Sequence, residues 1–209
     1  MNAPRLRGLY AVTSAELCRQ PQRLAAAVAA ALTGGARLIQ YRDKENGAAH
    51  REATARELLV LCRARGACLI INDDVALAQR IGADGVHLGA ADLPLRDARR
   101  RLGEQALIGL SCASRLERAV AAQDEGASYV AFGRFFPSRT KPAAPPADLA
   151  LLHEARAALR IPICAIGGIT PHNGAAVIAA GADLIAAVDG VFGTLDVAAA
   201  ARAYARLFD

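Results

Sequence analysis

The 209-residue chain has no tryptophan, a single methionine and, among its 25 basic residues, only two lysines, Lys44 and Lys141. Aromatic residues make up 4% of the chain, so rings cannot fill the core and Leu, Ile and Val must do so. No long uncharged apolar run is present, which excludes a membrane-spanning helix. The five cysteines (Cys18, Cys62, Cys68, Cys112 and Cys164) are odd in number, widely spaced and without a C-x-x-C pair. They read as reduced core thiols rather than a zinc or disulfide framework. A G-x-S-x-G elbow and a sensible Cys–His pairing are both missing, so nucleophilic catalysis is not indicated. No apolar stretch of signal-peptide length precedes the first strand-like run, and the expected location is cytoplasmic.

What is there points to one globular domain over residues 1–209. Apolar residues account for 54% and charged residues for 22%, a balance that excludes disorder. Fifty residues are Ala, which favours helix wherever they cluster. The net charge of +5 raises the question of nucleic acid, but the positive charges are interleaved with acids. The densest patch, Arg96, Arg99, Arg100 and Arg101, contains no aromatics for stacking. The expected partners are therefore small molecules, with neither nucleic acid nor membrane, and homo-oligomerisation is left open.

Short apolar, β-branched runs recur eight times: 8–13, 36–41, 68–72, 85–88, 107–110, 129–132, 162–166 and 184–188. Between them lie amphipathic or Ala-rich stretches at 22–32, 48–65, 75–81, 95–102, 115–125, 148–159, 173–180 and 197–207. Gly-Ala joints at 35, 66, 82, 126 and 181 close a helix just before a strand, where glycine can take the left-handed conformation that ends helices. Eight units of about 26 residues predict a compact (β/α)8 TIM barrel in the α/β class. A doubly wound open sheet is the competitor. It is disfavoured because no G-x-G-x-x-G follows the first strand and polar residues gather after many strands rather than at one switch point.

In such a barrel the chemistry sits where strands end. After strand two, alternation puts Gln40, Arg42 and Lys44 on one side, three donors that suit a polyanion or are merely solvated. Asp73 after strand three and Asp92 after strand four offer the carboxylates a hard divalent cation needs, although Asp73 or Asp74 could instead cap the next helix. Ser111 places a hydroxyl at the end of strand five or caps the following helix. The loop Phe135–Lys141 brings two hydroxyls and two cations, and Gly167-Gly168 exposes backbone amides ahead of a helix, a recurring phosphate position. His87 has no partner histidine nearby and reads as packed or supporting, and alternation turns Cys112 away from the mouth. Together the strand ends suggest two anionic groups on opposite sides of the mouth, one of them metal-bound.

The motifs Q-Y-R-D-K (40–44), I-N-D (71–73), G-V-H-L-G-x-x-D (85–92), F-P-S-x-T-K (136–141) and A-I-G-G-I-T (165–170) occur in this order. With them the chain resembles the thiamine-phosphate synthase family over about residues 10–192. The resemblance implies a (β/α)8 barrel that joins 4-amino-5-hydroxymethyl-2-methylpyrimidine diphosphate to 4-methyl-5-(2-phosphoethyl)thiazole and releases diphosphate, with Mg2+ as cofactor. It places the pyrimidine diphosphate on Gln40, Arg42, Lys44, Asn72, Ser111 and Lys141, with Tyr41 and Asp43 in the same motif, and the metal on Asp73 and Asp92. Arg42, Lys44, Ser111 and Lys141 are then the groups expected to act on the departing diphosphate. Thiazole phosphate falls to Ser138, Thr140, Gly168 and the Val188-Asp189 backbone, with Arg139 beside them. The implied mechanism is dissociative, through a pyrimidine-methyl cation captured by the thiazole nitrogen. Two departures stand out: Ser138 where Thr is usual, and Asp189 where Ser is usual, a carboxylate that would repel a phosphate unless Arg139 offsets it. The alternatives are a thiazole tautomerase of the same fold, another barrel enzyme acting on a sugar phosphate, and a non-catalytic binder of thiamine precursors.

Overall fold

A computed structural model describes residues 6–137 and 146–209. Eight parallel strands close into a barrel in chain order. The first half runs β1 (Gly8–Val12), α1 (Ala15–Cys18), α2 (Pro21–Thr33), β2 (Leu38–Tyr41), α3 (Ala48–Arg63), β3 (Cys68–Asn72), α4 (Val75–Ile81), β4 (Gly85–Leu88) and α5 (Leu95–Leu102). The second half runs β5 (Leu107–Ala113), α6 (Leu116–Asp124), β6 (Tyr129–Phe132), α7 (Leu149–Ala158), β7 (Ile163–Ile166), α8 (Gly174–Ala179), β8 (Leu184–Ala187), α9 (Asp189–Phe192) and α10 (Val197–Ala205). A 3-10 turn over Arg206–Phe208 ends the last helical stretch earlier than its spacing suggests. The closed barrel excludes the open-sheet alternative.

Alternation along each strand builds two cores. Leu9, Ile39, Leu69, Val86, Ile108, Val130, Ile163 and Ile185, one from each strand, face outward beneath the helices and are fully buried. Tyr10, Leu38, Ile70, Tyr129, Cys164 and Leu184 face inward and fill the barrel. None of the cysteines is paired, and four of the five are buried.

The Gly-Ala joints form a repeating device at the foot of the barrel. In Gly82-Ala83-Asp84 the glycine takes φ +66° and ends α4. Asp84 Oδ2 then accepts from Leu69 N of β3 at 2.7 Å. Ser128 Oγ accepts from Ile108 N of β5 at 3.0 Å, and Asp183 Oδ2 from Ile163 N of β7 at 3.0 Å. Each residue thus satisfies an amide at the first or second position of the strand before its own. The Asp183 carboxylate is also held by Arg156 at 2.9 Å.

Two short helices, α1 and α9, are absent from the periodicity reading because four residues are too few to show a period. Strand β5 runs on to Ala113 through a register shift between Ser111 and Ala113, where Ala113 has φ 52°. Ser111 therefore lies inside a strand and does not cap a helix; the N-cap of α6 is Arg115.

Candidate active site

The strand ends bring the residues singled out from the sequence to one face, but with different duties. Strand regularity stops at Tyr41, so Gln40, Arg42 and Lys44 do not form one row as alternation alone suggests. Gln40 points into the barrel and is buried, whereas Lys44 reaches across the rim. The Arg42 backbone is pinned: its N–H donates to Thr13 Oγ1 at 2.9 Å and its carbonyl accepts from Thr13 and Cys18.

Tyr41 and Asp43, expected at the substrate, shape the loop instead. Tyr41 faces the outer core, and its hydroxyl donates to Asp43 Oδ2 at 2.9 Å. Asp43 also accepts from the backbone N–H groups of Glu45 and Asn46 and from the Asn46 side chain. Burial alone would raise its pKa, but these donors outweigh burial and leave it below the ordinary carboxylate range. Four donors on one buried carboxylate leave little for a substrate and fix the turn that presents Arg42 and Lys44.

The two metal candidates come together. Asp73 and Asp92 lie within hydrogen-bonding reach of each other. Asp73 Oδ2 is 2.7 Å from Lys44 Nζ and accepts from Asn72 Nδ2 at 2.7 Å, while Asp92 accepts from Gly89 N at 2.6 Å. Against the upward pull of burial, Lys44, Asp92 and Asn72 hold Asp73 below the usual carboxylate range. Burial, and then the neighbouring Asp73, hold Asp92 above it despite the Gly89 amide. Opposite shifts of this kind are what two neighbouring carboxylates impose on each other when a cation favours one of them. Asp73 adopts φ 63°, a left-handed conformation that turns its carboxylate toward Lys44. The capping duty falls to Asp74, which accepts from Leu77 N at 2.8 Å.

Beneath the mouth runs a hydrogen-bonded file. Gln40 Nε2 donates to the Tyr10 hydroxyl at 2.6 Å, which lies 2.8 Å from the Tyr129 hydroxyl. Tyr129 is 3.0 Å from His87 Nδ1, and His87 Nε2 is 2.9 Å from Ser111 Oγ. His87, read as packed or supporting, thus joins Ser111 to the interior. Tyr10 and Tyr129 escape a motif search because both read as core aromatics. Period-two alternation places each inside the barrel, however, where a hydroxyl requires a partner. Gly109 is the further signal. It lies opposite Tyr129 in the β5–β6 register, and a Cβ there would overlap the Tyr129 ring.

On the far side, Gly168 has φ +64°, and a Cβ on it would overlap the Pro137 carbonyl oxygen. A Cβ on Gly167 would likewise collide with Arg134. The paired glycines therefore let the stem of the β6–α7 loop lie directly on the β7 loop, and Phe136 N donates to Gly167 O at 3.0 Å. Ser138, Arg139, Thr140 and Lys141 lie outside the described residues. Val188 leads from β8 into α9, the short extra helix that often completes a phosphate site in this fold. Asp189, at the start of α9, lines a cavity of about 160 Å3 with Ser14, Glu16, Arg23 and Phe192.

Comparison with known proteins agrees with this geometry. The family model described as thiamine monophosphate synthase matches residues 9–191. A thiamine-phosphate synthase from Thioalkalivibrio sulfidiphilus is 55% identical over 98% of the chain and 97% of the relative. One from Chromobacterium violaceum is 57% identical over 98% of both. Among solved structures, a thiamine phosphate pyrophosphorylase from Pyrococcus furiosus superposes with a TM-score of 0.87 at 31% identity, covering 98% of this chain and 96% of that one. With its closed eight-stranded barrel and the ordered motifs at its strand ends, the chain belongs to the thiamine monophosphate synthase family.

Proposed function

We propose that the chain is a thiamine-phosphate synthase that couples 4-amino-5-hydroxymethyl-2-methylpyrimidine diphosphate with 4-methyl-5-(2-phosphoethyl)thiazole and releases diphosphate. The observation that carries this reading is the Asp73–Asp92 pair with Lys44 at 2.7 Å, next to Asn72 and on the same side of the mouth as Ser111, whose strand β5 pairs with β4. A tautomerase acting on a thiazole phosphate has no use for such a cluster. Among the described residues no group of three or more His, Cys, Asp and Glu is placed to hold a metal. Two carboxylates fit Mg2+ nonetheless, since this ion is commonly held by one or two carboxylates with phosphate and water completing its shell. Bound there by Asp73 and Asp92, Mg2+ would neutralise charge on the diphosphate leaving group.

The chain's own groups divide the remaining work. Arg42, Lys44 and Lys141 supply positive charge to the diphosphate, and Asn72 and Ser111 supply hydrogen bonds. Gln40 orients the pyrimidine from inside the barrel. The glycine pair at 167–168, Val188 at the entry to α9 and the loop residues Ser138, Arg139 and Thr140 take the thiazole phosphate. Departure of diphosphate to leave a pyrimidine-methyl cation requires stabilisation of the leaving group more than a general base. No helix among the described residues is long and apolar enough to cross a membrane, and unpaired cysteines support a cytoplasmic setting. Lys141→Ala tests the assignment: turnover should fall far more than affinity for thiazole phosphate. Unchanged turnover would remove Lys141 from the site.

A further inference from the structure

The file beneath the mouth has a direction. A hydroxyl carries one proton and donates once. Tyr10 accepts from the Gln40 amide, and because its hydroxyl is buried away from water, Tyr129 is the partner left for its own proton among the described residues. With Tyr129 accepting from Tyr10, its own proton is the one that serves His87 Nδ1, an arrangement that requires a neutral imidazole with its proton on Nε2. Nε2–H donates to Ser111 Oγ, which leaves the Ser111 proton to point elsewhere. Were an acceptor oxygen to face Tyr10, every bond would turn round. Nδ1 would then hold the imidazole proton, and the Ser111 proton would be used on Nε2.

Breaking the file at either tyrosine would strand a buried hydroxyl. Tyr10 and Tyr129 are buried, so neither hydroxyl can turn to water. The Tyr129 ring stands edge-on to Tyr10 and stacked on His87, with centroids 5.8 and 5.6 Å apart, and Gly109 leaves the room it occupies. Burial also holds both phenols well above their ordinary pKa, which keeps them as proton carriers.

We propose that Tyr10, Tyr129 and His87 are positioning residues that convert the orientation of the Gln40 amide into an outward-pointing Ser111 proton, a preset donor for a phosphate oxygen of the substrate. The donor role rests on reading the mouth as a diphosphate site; the direction of the file does not.

The test is the His87 tautomer in the 15N-labelled, ligand-free chain, read by long-range 1H–15N correlation and assigned by its loss in His87→Gln. The wild-type ring should carry its proton on Nε2. In Gln40→Glu, where a carboxylate can only accept, Nδ1–H should take over. Tyr129→Phe keeps the ring but cuts the file, and should leave a mixture of tautomers even if Gln40→Glu does not fold. A wild-type ring protonated on Nδ1, or the same Nε2–H tautomer in both variants, overturns the proposal. With inorganic diphosphate and Mg2+ as the probe, Tyr129→Phe should weaken binding about tenfold, as expected for one charge-assisted hydrogen bond. Full affinity in Tyr129→Phe alongside a tenfold loss in Ser111→Ala overturns the donor role. Because the tautomer is read without substrate, a directional file in a protein that releases no diphosphate would strike the synthase reading alone.

Discussion

Replacing Gly109 by Ala should damage fold and site together through one contact. The new methyl would lie inside the Tyr129 ring, against Cζ, the hydroxyl oxygen and Cε1. Restoring ordinary carbon separations requires the ring to move by about 1 Å or more. That ring is buried, and its hydroxyl is held between Tyr10 at 2.8 Å and His87 at 3.0 Å. Overpacking a filled core costs about 1–3 kcal/mol, and leaving a buried hydrogen-bonding group unmet costs about 1–3 kcal/mol more. The expected loss is about 2–6 kcal/mol, a large share of the roughly 5–15 kcal/mol that holds a typical domain together. Urea unfolding should show the lower stability with an unchanged slope, and turnover should fall because Ser111 loses its support. The decisive comparison is a double-mutant cycle with Tyr129→Leu, which removes the atoms that clash. On that background Gly109→Ala should cost less than about 1 kcal/mol. An equal cost on both backgrounds would refute the reasoning.

The acid pair predicts opposite stability effects. Asp73, with a lowered pKa, adds stability that is present above the unfolded carboxyl range and lost as pH falls through its folded value. Asp92, with a raised pKa, contributes stability present below the unfolded range and lost as pH rises through its folded value. Asp92→Asn should therefore raise the melting temperature at pH 7 while lowering Mg2+-dependent turnover, and Asp73→Asn should flatten the acid limb of a pH–stability profile; the reverse pattern would contradict the assigned roles. Burial pushes the Cys18 and Cys112 thiols up to about 11 and Cys62 up to about 12. A thiol reagent at pH 8 should thus leave these three unmodified in the folded chain and modify them on unfolding, by mass spectrometry. At the foot, Asp183→Ala removes the carboxylate partner of Arg156, which keeps the Leu159 carbonyl, and the only side-chain acceptor of the Ile163 amide among the described residues. Leaving the buried Ile163 amide unmet costs about 1–3 kcal/mol, which should appear in denaturant unfolding with KM for both substrates unchanged.

Much of the barrel is legible in the sequence because each βα unit repeats the same instructions. Apolar runs mark the strands, Ala-rich periodic stretches mark the helices, and Gly-Ala joints end them. Strands at 68–72, 85–88 and 129–132 and helices at 75–81 and 95–102 carry their bounds in plain form. What escapes is local geometry. Alternation cannot show that β2 stops at Tyr41, which separates Gln40 from Lys44, nor that β5 bulges past Ser111. The choice between Asp73 and Asp74 as cap depends on a φ of 63° that no spacing reveals. Asp43 looks like a ligand in a charged motif, yet the amides of the turn it closes consume it. The interior tyrosines are hidden by their residue type. Only the pairing of Gly109 opposite Tyr129 across two strands shows that a ring, and the file through it, belongs there.

The lysines now have distinct addresses. In a chain that otherwise uses Arg for positive charge, Lys44 sits 2.7 Å from Asp73 at the rim, and Lys141 belongs to the loop motif after β6. The central claim is that this rim binds a diphosphate in order to release it. Its most direct test is to incubate the purified chain with both precursors, with and without Mg2+, and to measure diphosphate. The account predicts release only when both precursors and Mg2+ are present, with thiamine phosphate formed in equal amount. No release under any condition would contradict it.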